Sequence, residues 1–566
     1  MHIPQLRSIL LSPEPPPTIR LTAMAALLVL GLSASLPSLS NGFTYDDIPI
    51  VRDNARIHEV ASPLTYLGQS YWTPGFGNFL YRPVTIQLFA LEWAAGGGSP
   101  FMFHAVNLAL YALVTLAVFG LARLLLPFGA AFAAAALFAV HPVHVEAVAN
   151  VVGQAELVCA LAALGAVMLY LRTRQSGGWT TGTRMSLAGL AVAAALAKEQ
   201  GFMLPGLLLM AEVTVVQRRE AWQPRARAVI EALAPMMVIL GMIFIARGLV
   251  LGGLGGGAPA MGLQHLGSGR RLLTAAAMTP EWLRLLLWPA HLRAEYSPPE
   301  FAASVAFGRK ELFGTVMALC GVGAWFAARR AQPVIAFGLG WFVVAILPVS
   351  NLVFTTGVII AERTLFLPSV GAVLAIAALG AAMLARWPTL VIRRAVLAVL
   401  AVIVVLGVGR SRSRSRVWRD NLILFSQSIA DAPRGYRAYR DYGIALGEEG
   451  RLPKAEEVLR RAAALYDRDA RVFEELSHAI RRQRSCLDAV PFMQQALAVD
   501  SSLTLSRSRL YYCQLKSGQI LAARETAARG EALGLPEFTP MRVKADSMLS
   551  AAESPPLPPS PRGPHN

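Results

Sequence analysis

The sequence predicts an all-α membrane protein of about eleven transmembrane helices followed by a soluble helical repeat domain. Three observations carry that expectation. Of 566 residues, 55% are hydrophobic and 15% charged, with a mean hydropathy of +0.48, whereas a soluble domain carries roughly 25% charged residues. The apolar residues fall in blocks of about 17–25, the length that crosses a bilayer as a helix. Beyond about Arg419 the blocks give way to charged sequence that repeats every 34 residues. The net charge of +17 would point to nucleic acid in a soluble chain. Here the basic residues lie between apolar blocks, so the partners expected are anionic membrane lipids, with no nucleic acid.

Residues 1–20 form a cytoplasmic segment that includes Arg7 and Arg20. The apolar block Leu21–Leu36 is similar in length to a signal peptide, but many spans follow it, so it reads as a retained first helix. A polar outer loop rich in Trp, Tyr and Pro occupies residues 37–103. Further spans start near Phe103, Ala130, Leu157, Leu187, Phe202, Val229, Leu312, Val334, Phe366 and Val391, giving a transmembrane domain over 21–409. Basic clusters set the orientation. With the N-terminus inside, the inner connections carry Arg123; Arg172, Arg174 and Arg184; Arg218, Arg219, Arg225 and Arg227; Arg329 and Arg330; and Arg386, Arg393 and Arg394. Arg270–Arg271, Arg309–Lys310 and the run Arg410–Arg416 then fall outside, against the trend. The segment 271–289 holds Trp282 and Trp288 and reads as interfacial; counted as a span, it would move the C-terminal domain to the cytoplasm.

In the C-terminal domain, 420–550, Ala455, Ala489 and Ala523 share one register, and Ala462, Ala496 and Gly530 another. Tyr442, Leu476 and Leu510 share a third, and Gly450 matches Gly518 at a turn. Small residues at crossing points and a large apolar residue between repeats are what stacked helical hairpins require. The pattern resembles the tetratricopeptide repeat in about three copies, with Asp467 and Ser501 in place of the usual terminal Pro. The Pro-rich tail 551–566 is expected to be disordered. The four cysteines lack CxxC spacing and argue neither a metal site nor a disulfide framework; Cys159 and Cys320 read as apolar helix residues, and pairing of Cys486 with Cys513 across adjacent repeats is only the alternative to free thiols.

Four polar motifs fall on the outer face. In Tyr45-Asp46-Asp47, adjacent carboxylates repel, so one can serve as a proton acceptor near neutrality; a solvated turn is the alternative. Tyr81-Arg82-Pro83 reads either as an interfacial anchor or as a functional cation. His141-Pro142-Val143-His144-Val145-Glu146 lacks the spacing of a zinc motif, and no second cluster completes a metal site, so no metal is expected. Two histidines and a glutamate there suit a phosphate or a sugar hydroxyl. Lys198-Glu199 and Glu362-Arg363 set charges against apolar helices, which points to function or to internal salt bridges.

Taken in order, Phe43–Asp47, Tyr81–Thr85, Phe103–Asn107, His141–Val148, Val152–Glu156, Lys198–Gly201 and Ala361–Ser369 resemble the transmembrane-and-tetratricopeptide O-mannosyltransferases. These belong to the GT-C class of glycosyltransferases. The likeness is dense over 41–202 and returns at 361–371. It implies a GT-C-type membrane domain in an inner membrane, with the site and the repeats on the periplasmic side. It implies an enzyme that moves a sugar, mannose in the family, from a polyprenyl-phosphate donor to a protein hydroxyl, without a cofactor. Gln154 stands where the family usually has Arg, and Thr364 and Phe366 where tyrosines are common.

Inverting transfer from a lipid phosphate needs a base, for which Asp46 or Asp47 is suited. It needs cations at the departing phosphate: Arg363 first, then Arg82 and Lys198. His141, His144, Glu146, Glu199 and Glu362 are the expected substrate-binding residues, and the repeats the acceptor-protein surface. A non-enzymatic scaffold and a lipid-linked glycan transporter are the rival readings. The orientation is testable: a reporter fused after Arg419 is expected outside and one near Arg174 inside. A cytoplasmic Arg419 fusion would remove the repeats from any outer-face role.

Overall fold

The computed structural model describes residues 15–73, 77, 79–176, 178–216, 222–253, 263, 266–352 and 357–553. Arg7, Arg218, Arg219 and the tail from Ser554 lie outside them. The chain forms two compact units. The first runs to Ser297 and resumes over Phe301–Gln427; the second comprises Pro298–Glu300 and the chain from Ser428.

The regular secondary structure among the first unit's described residues is helical. Its principal helices are α1 (Pro17–Ser35), α2 (Pro83–Gly96), α3 (Pro100–Leu125), α4 (Phe128–Ala139), α5 (Gln154–Ser176), α6 (Thr181–Ala197) and α7 (Leu204–Thr214). There follow α8 (Trp222–Leu251), α9 (Ser268–Leu287), α10 (Arg309–Ala331), α11 (Pro333–Ile346), α12 (Phe366–Arg386) and α13 (Leu390–Ser415). Proline occupies the first turn of α1, α2, α3, α7 and α11, where its missing N–H has no helical partner to lose and its fixed φ favours the first turn.

Seven helices among the described residues are long and apolar enough to cross a membrane, and an eighth is gained if α4 and the segment Pro142–Ala149, bent by 47°, make one span. The expectation of about eleven is not reached by this measure. The physical reason is that some apolar helices are cut short: Thr181–Ala197 and Pro333–Val349 are apolar but shorter. The segment expected at the interface is α9, which is not among the candidate spans. It buries Thr274, Met278, Trp282 and Leu285 on one face and exposes Leu272 and Leu287.

The core of this unit is a helix-on-helix layer joining Val114, Ala134, Leu164, Leu208, Trp341 and Leu374. Membrane helices associate through close packing of small residues rather than through a hydrophobic drive. A close reciprocal case is α11 on α12, where a Cβ on Gly371 would sit 2.3 Å from the Gly338 carbonyl oxygen, and one on Gly338 2.4 Å from that of Gly371. By contrast, α8, α10 and α13 hide only 17%, 11% and 6% of their apolar windows inside the protein, leaving most of their surface for lipid.

The second unit stacks antiparallel helices: α14 (Tyr436–Glu448), α15 (Leu452–Leu465), α16 (Ala470–Gln483), α17 (Cys486–Val499), α18 (Thr504–Lys516), α19 (Ile520–Ala532) and α20 (Phe538–Glu553). The starts Tyr436, Ala470 and Thr504 lie 34 residues apart, as do Leu452, Cys486 and Ile520. Ala455, Ala462, Ala489, Ala496 and Ala523 are fully buried at the crossings. Gly450 and Gly518 turn the chain with φ of 75° and 74°, a conformation that a side chain would strain. Cys486 and Cys513 form a disulfide between α17 and α18.

The α11–α12 crossing yields a prediction. Gly371→Val forces the two backbones apart, so it is expected to cost about 1–3 kcal/mol, read as a lowered melting temperature of the detergent-purified protein. An unchanged melting temperature would mean that the crossing is not under packing constraint.

Candidate active site

Several helices of the first unit break near the same place. Short 3-10 turns occupy Pro142–His144, Val151–Gly153, Glu199–Met203, Leu347–Val349 and Glu362–Leu365. Irregular backbone at membrane depth is tolerated where it is buried in protein or lines a cavity, because its polar groups need partners. Side-chain amides supply them. Asn107 donates to the carbonyls of Val148, Asn150 and Val151 at 3.2–3.3 Å, and Gln200 to those of Ala345 and Thr364 at 3.2 and 3.1 Å.

All but the first of these breaks contribute residues to the wall of one cleft. Its charged lining is Asp46, Glu156 and Glu199 against Arg82, Lys198, Arg247 and Arg363, with Tyr71, Trp72, Phe202 and Phe244 between them. A smaller cavity, lined by Tyr45, Glu146, Glu295 and Tyr296, shares Arg363 with it.

Arg363 reaches Asp46 Oδ2 at 3.1 Å and Glu146 Oε1 at 3.4 Å, and its backbone N–H donates to Glu146 Oε2 at 2.9 Å. Glu362, its neighbour in sequence, points elsewhere and accepts from the Tyr296 hydroxyl at 2.9 Å and from the Arg293 amide. Arg82, at the residue before α2, grips Glu199 through two nitrogens, the shorter contact being 2.7 Å, and stacks over the Tyr71 ring at 4.9 Å. Lys198 is ion-paired with Glu156, and both are buried. Burial holds the Lys198 ammonium below the usual lysine range, with Glu156 pulling the other way. Burial works against the Glu199 carboxylate too, but the Arg82 pair outweighs it and holds Glu199 below the usual carboxylate range.

The two adjacent aspartates have different surroundings. Asp46 faces the cleft. Asp47 is fully buried and accepts from the backbone N–H groups of Val152 at 2.9 Å and Thr44 at 3.2 Å. It ties the loop after α1 to the turn before α5. Burial lifts its carboxyl to about 7 despite those two hydrogen bonds. The histidines are also away from the cleft. His141 Nε2 lies 2.9 Å from the Leu286 carbonyl and His141 Nδ1 accepts from Val143 N–H. His144 is enclosed between the hydroxyls of Tyr111 at 3.0 Å and Ser369 at 2.8 Å. Of the residues singled out in sequence, the structure therefore brings Asp46, Arg82, Lys198, Glu199 and Arg363 to the cleft, with Glu146 behind Arg363. Asp47, His141, His144 and Glu362 are not on its wall. Gln154 Nε2 donates to Glu92 at 2.6 Å, and burial lifts that carboxyl to about 8.

Sequence reasoning passed over Arg247 and Tyr71. A lone Arg in the apolar run Ile243–Leu251 is a signal that finds Arg247; Tyr71 has none. No protein-family profile matches the chain. It is 27% identical over 80% of its length to Protein O-mannosyl-transferase Tmtc3 of Drosophila melanogaster, covering 57% of that protein. It is 28% identical over 75% of its length to TMTC4 of Mus musculus, covering 64% of it, and 23% identical over 81% to TMTC3 of Homo sapiens, covering 54%. The chain is similar to proteins named as protein O-mannosyl-transferases. The resemblance read from the motifs is borne out, and the chain spans a little over half the length of these relatives.

Asp47 yields a pH prediction. Its folded-state carboxyl titrates at about 7, well above roughly 3.9 in an unfolded chain. The native state then binds the extra proton between those values, so this group's contribution to stability falls as pH rises from about 4 to 7. Asp47→Asn is expected to flatten that part of the melting-temperature profile. A profile with the wild-type slope in Asp47→Asn would assign the pH dependence to another group.

Proposed function

We propose that this protein is an integral-membrane, inverting glycosyltransferase that moves a sugar from a polyprenyl-phosphate donor to a protein hydroxyl. Mannose is the proposed sugar, after the names of the relatives. The observation that carries the reading is one cleft in which a carboxylate, Asp46, stands against a guanidinium, Arg363, with two further cations, Arg82 and Lys198, on the same wall. In the proposed step the acceptor oxygen bonds to the anomeric carbon as the bond from that carbon to the phosphate oxygen breaks. Asp46 takes the hydroxyl proton, and polyprenyl phosphate departs as an anion stabilised by the cations. The approach of the phosphate draws Arg363 from Asp46. A carboxylate that loses its cation is more basic, so donor arrival readies the base. The step runs on side-chain cations and calls for no metal or cofactor.

The site and the repeats are proposed to face the periplasm from an inner membrane. The Cys486–Cys513 disulfide supports an oxidising surround for the repeats, and the small residues buried at the crossings support a stacked surface of the kind that binds extended protein segments. The repeats are proposed to recruit the acceptor protein.

Turnover of polyprenyl-phosphate mannose with an acceptor peptide tests the reading. Asp46→Asn is expected to lose roughly 100-fold or more with little change in melting temperature. Arg363→Lys keeps the charge but not the fork that meets two oxygens at once, and is expected to weaken transition-state binding by about 1–2 kcal/mol. A near wild-type rate in Asp46→Asn would remove Asp46 as the base. Wild-type turnover in both variants would favour a scaffold in which the charges only pack.

A further inference from the structure

One side of the cleft is formed by α8, a helix that the proposed chemistry has not used. Its outward residues Val238, Met242, Ile245 and Leu249 are exposed, at the spacing of one helical face. Met236, Leu240 and Arg247 are buried on the other face, and Phe244 and Arg247 line the cleft. Arg247 is 5% exposed, so a guanidinium is held inside the protein on a membrane span, where charge is expensive and marks function. It lies within electrostatic reach of both Glu199 and Arg82. Arg82, paired with Glu199, and Arg247 therefore line one cleft with that carboxylate and both act on it electrostatically.

A second observation points to a ligand. Tyr71 is buried on the same wall, beneath Arg82, and its hydroxyl has no hydrogen-bond partner among the described residues. A buried donor without a partner is costly, and a ligand oxygen would satisfy it. Carboxylates do not supply that oxygen here: Glu199 is turned to Arg82 and Glu156 to Lys198.

We infer that Arg247, Tyr71 and Arg82 form the seat of the donor's phosphate, with Glu199 as the resident counter-ion of Arg82 that the phosphate displaces. This rests on the polyprenyl-phosphate reading above and adds to it which residues hold the headgroup. Phe202 and Phe244, packed edge to face at 6.0 Å beside Arg247, give the first isoprene units an apolar wall. The seat takes a phosphate ester on a lipid, since its cationic end adjoins a helix whose far side faces acyl chains.

The test is binding of undecaprenyl phosphate, without sugar, to the full-length protein in detergent, alongside melting temperature. Arg247→Gln is expected to lose roughly tenfold or more in affinity, on the scale of a lost charge-assisted hydrogen bond. Tyr71→Phe removes only an oxygen that lacks a protein partner, so it is expected to lose several-fold in affinity with no loss of melting temperature. Glu199→Gln removes the competing anion and is expected to bind at least as tightly as wild type, a result that a purely structural ion pair would not give. Wild-type affinity in both Arg247→Gln and Tyr71→Phe would overturn the seat while leaving the donor class standing. Absence of binding by the wild type would overturn the donor class itself, and the seat with it. Equal occupancy by inorganic phosphate at the same concentration would overturn the lipid assignment.

Discussion

Arg363 joins three parts of the chain that are far apart in sequence. Its guanidinium spans from Asp46, 317 residues away, to Glu146, 217 residues away, and its own backbone N–H is committed to Glu146 as well. The loop after α1, the break after α4 and the entry to α12 are thereby brought to one point. A buried ion pair seldom adds much net stability, because taking the charges from water offsets their attraction. What it adds here is position. Removing Arg363 would strand two carboxylates near one another, whereas removing Asp46 leaves Arg363 still paired with Glu146, so the guanidinium is the member on which the arrangement depends.

The helix breaks follow from the same requirement. Charged side chains can gather inside a membrane protein only if the backbone turns to present them, and each turn frees carbonyls that lipid cannot satisfy. Asn107 and Gln200 answer with side-chain amides, and Trp341 donates its indole N–H to the Leu367 carbonyl at 2.8 Å. The close approach of Gly338 and Gly371 lets α11 and α12 lie near enough for such short reaches. Shortened helices near the cleft are the result.

Much of this was legible in the sequence. Apolar blocks are set by the bilayer and announce themselves; the 34-residue period fixes where hairpins stack, because every crossing needs a small residue. The charged motifs were also visible, since a charge among apolar helices is costly and persists where it serves a purpose. What the sequence did not show was direction. Asp46 and Asp47 are neighbours with the same chemistry, yet one faces the cleft and the other fastens two loops, a difference decided by the amides of Val152 and Thr44. Glu362 and Arg363 read as a pair, but a 3-10 turn sends them to different partners. His141 and His144 read with Glu146 as groups for a phosphate or sugar hydroxyl; in the structure their ring nitrogens meet a backbone carbonyl and protein hydroxyls, away from the cleft wall. The number of spans was the least legible part of the fold for a related reason, since periodicity does not reveal where a helix is interrupted.

The thin covering of α8 has a mechanical consequence. Only 17% of its apolar window is enclosed by protein, and α8 also carries Pro235, which removes one of its internal hydrogen bonds. A helix supported on one side by the core and on the other by acyl chains is held in place by lateral pressure as much as by packing. Its inner face nonetheless forms part of the cleft. The bilayer is in that sense a structural component of the site.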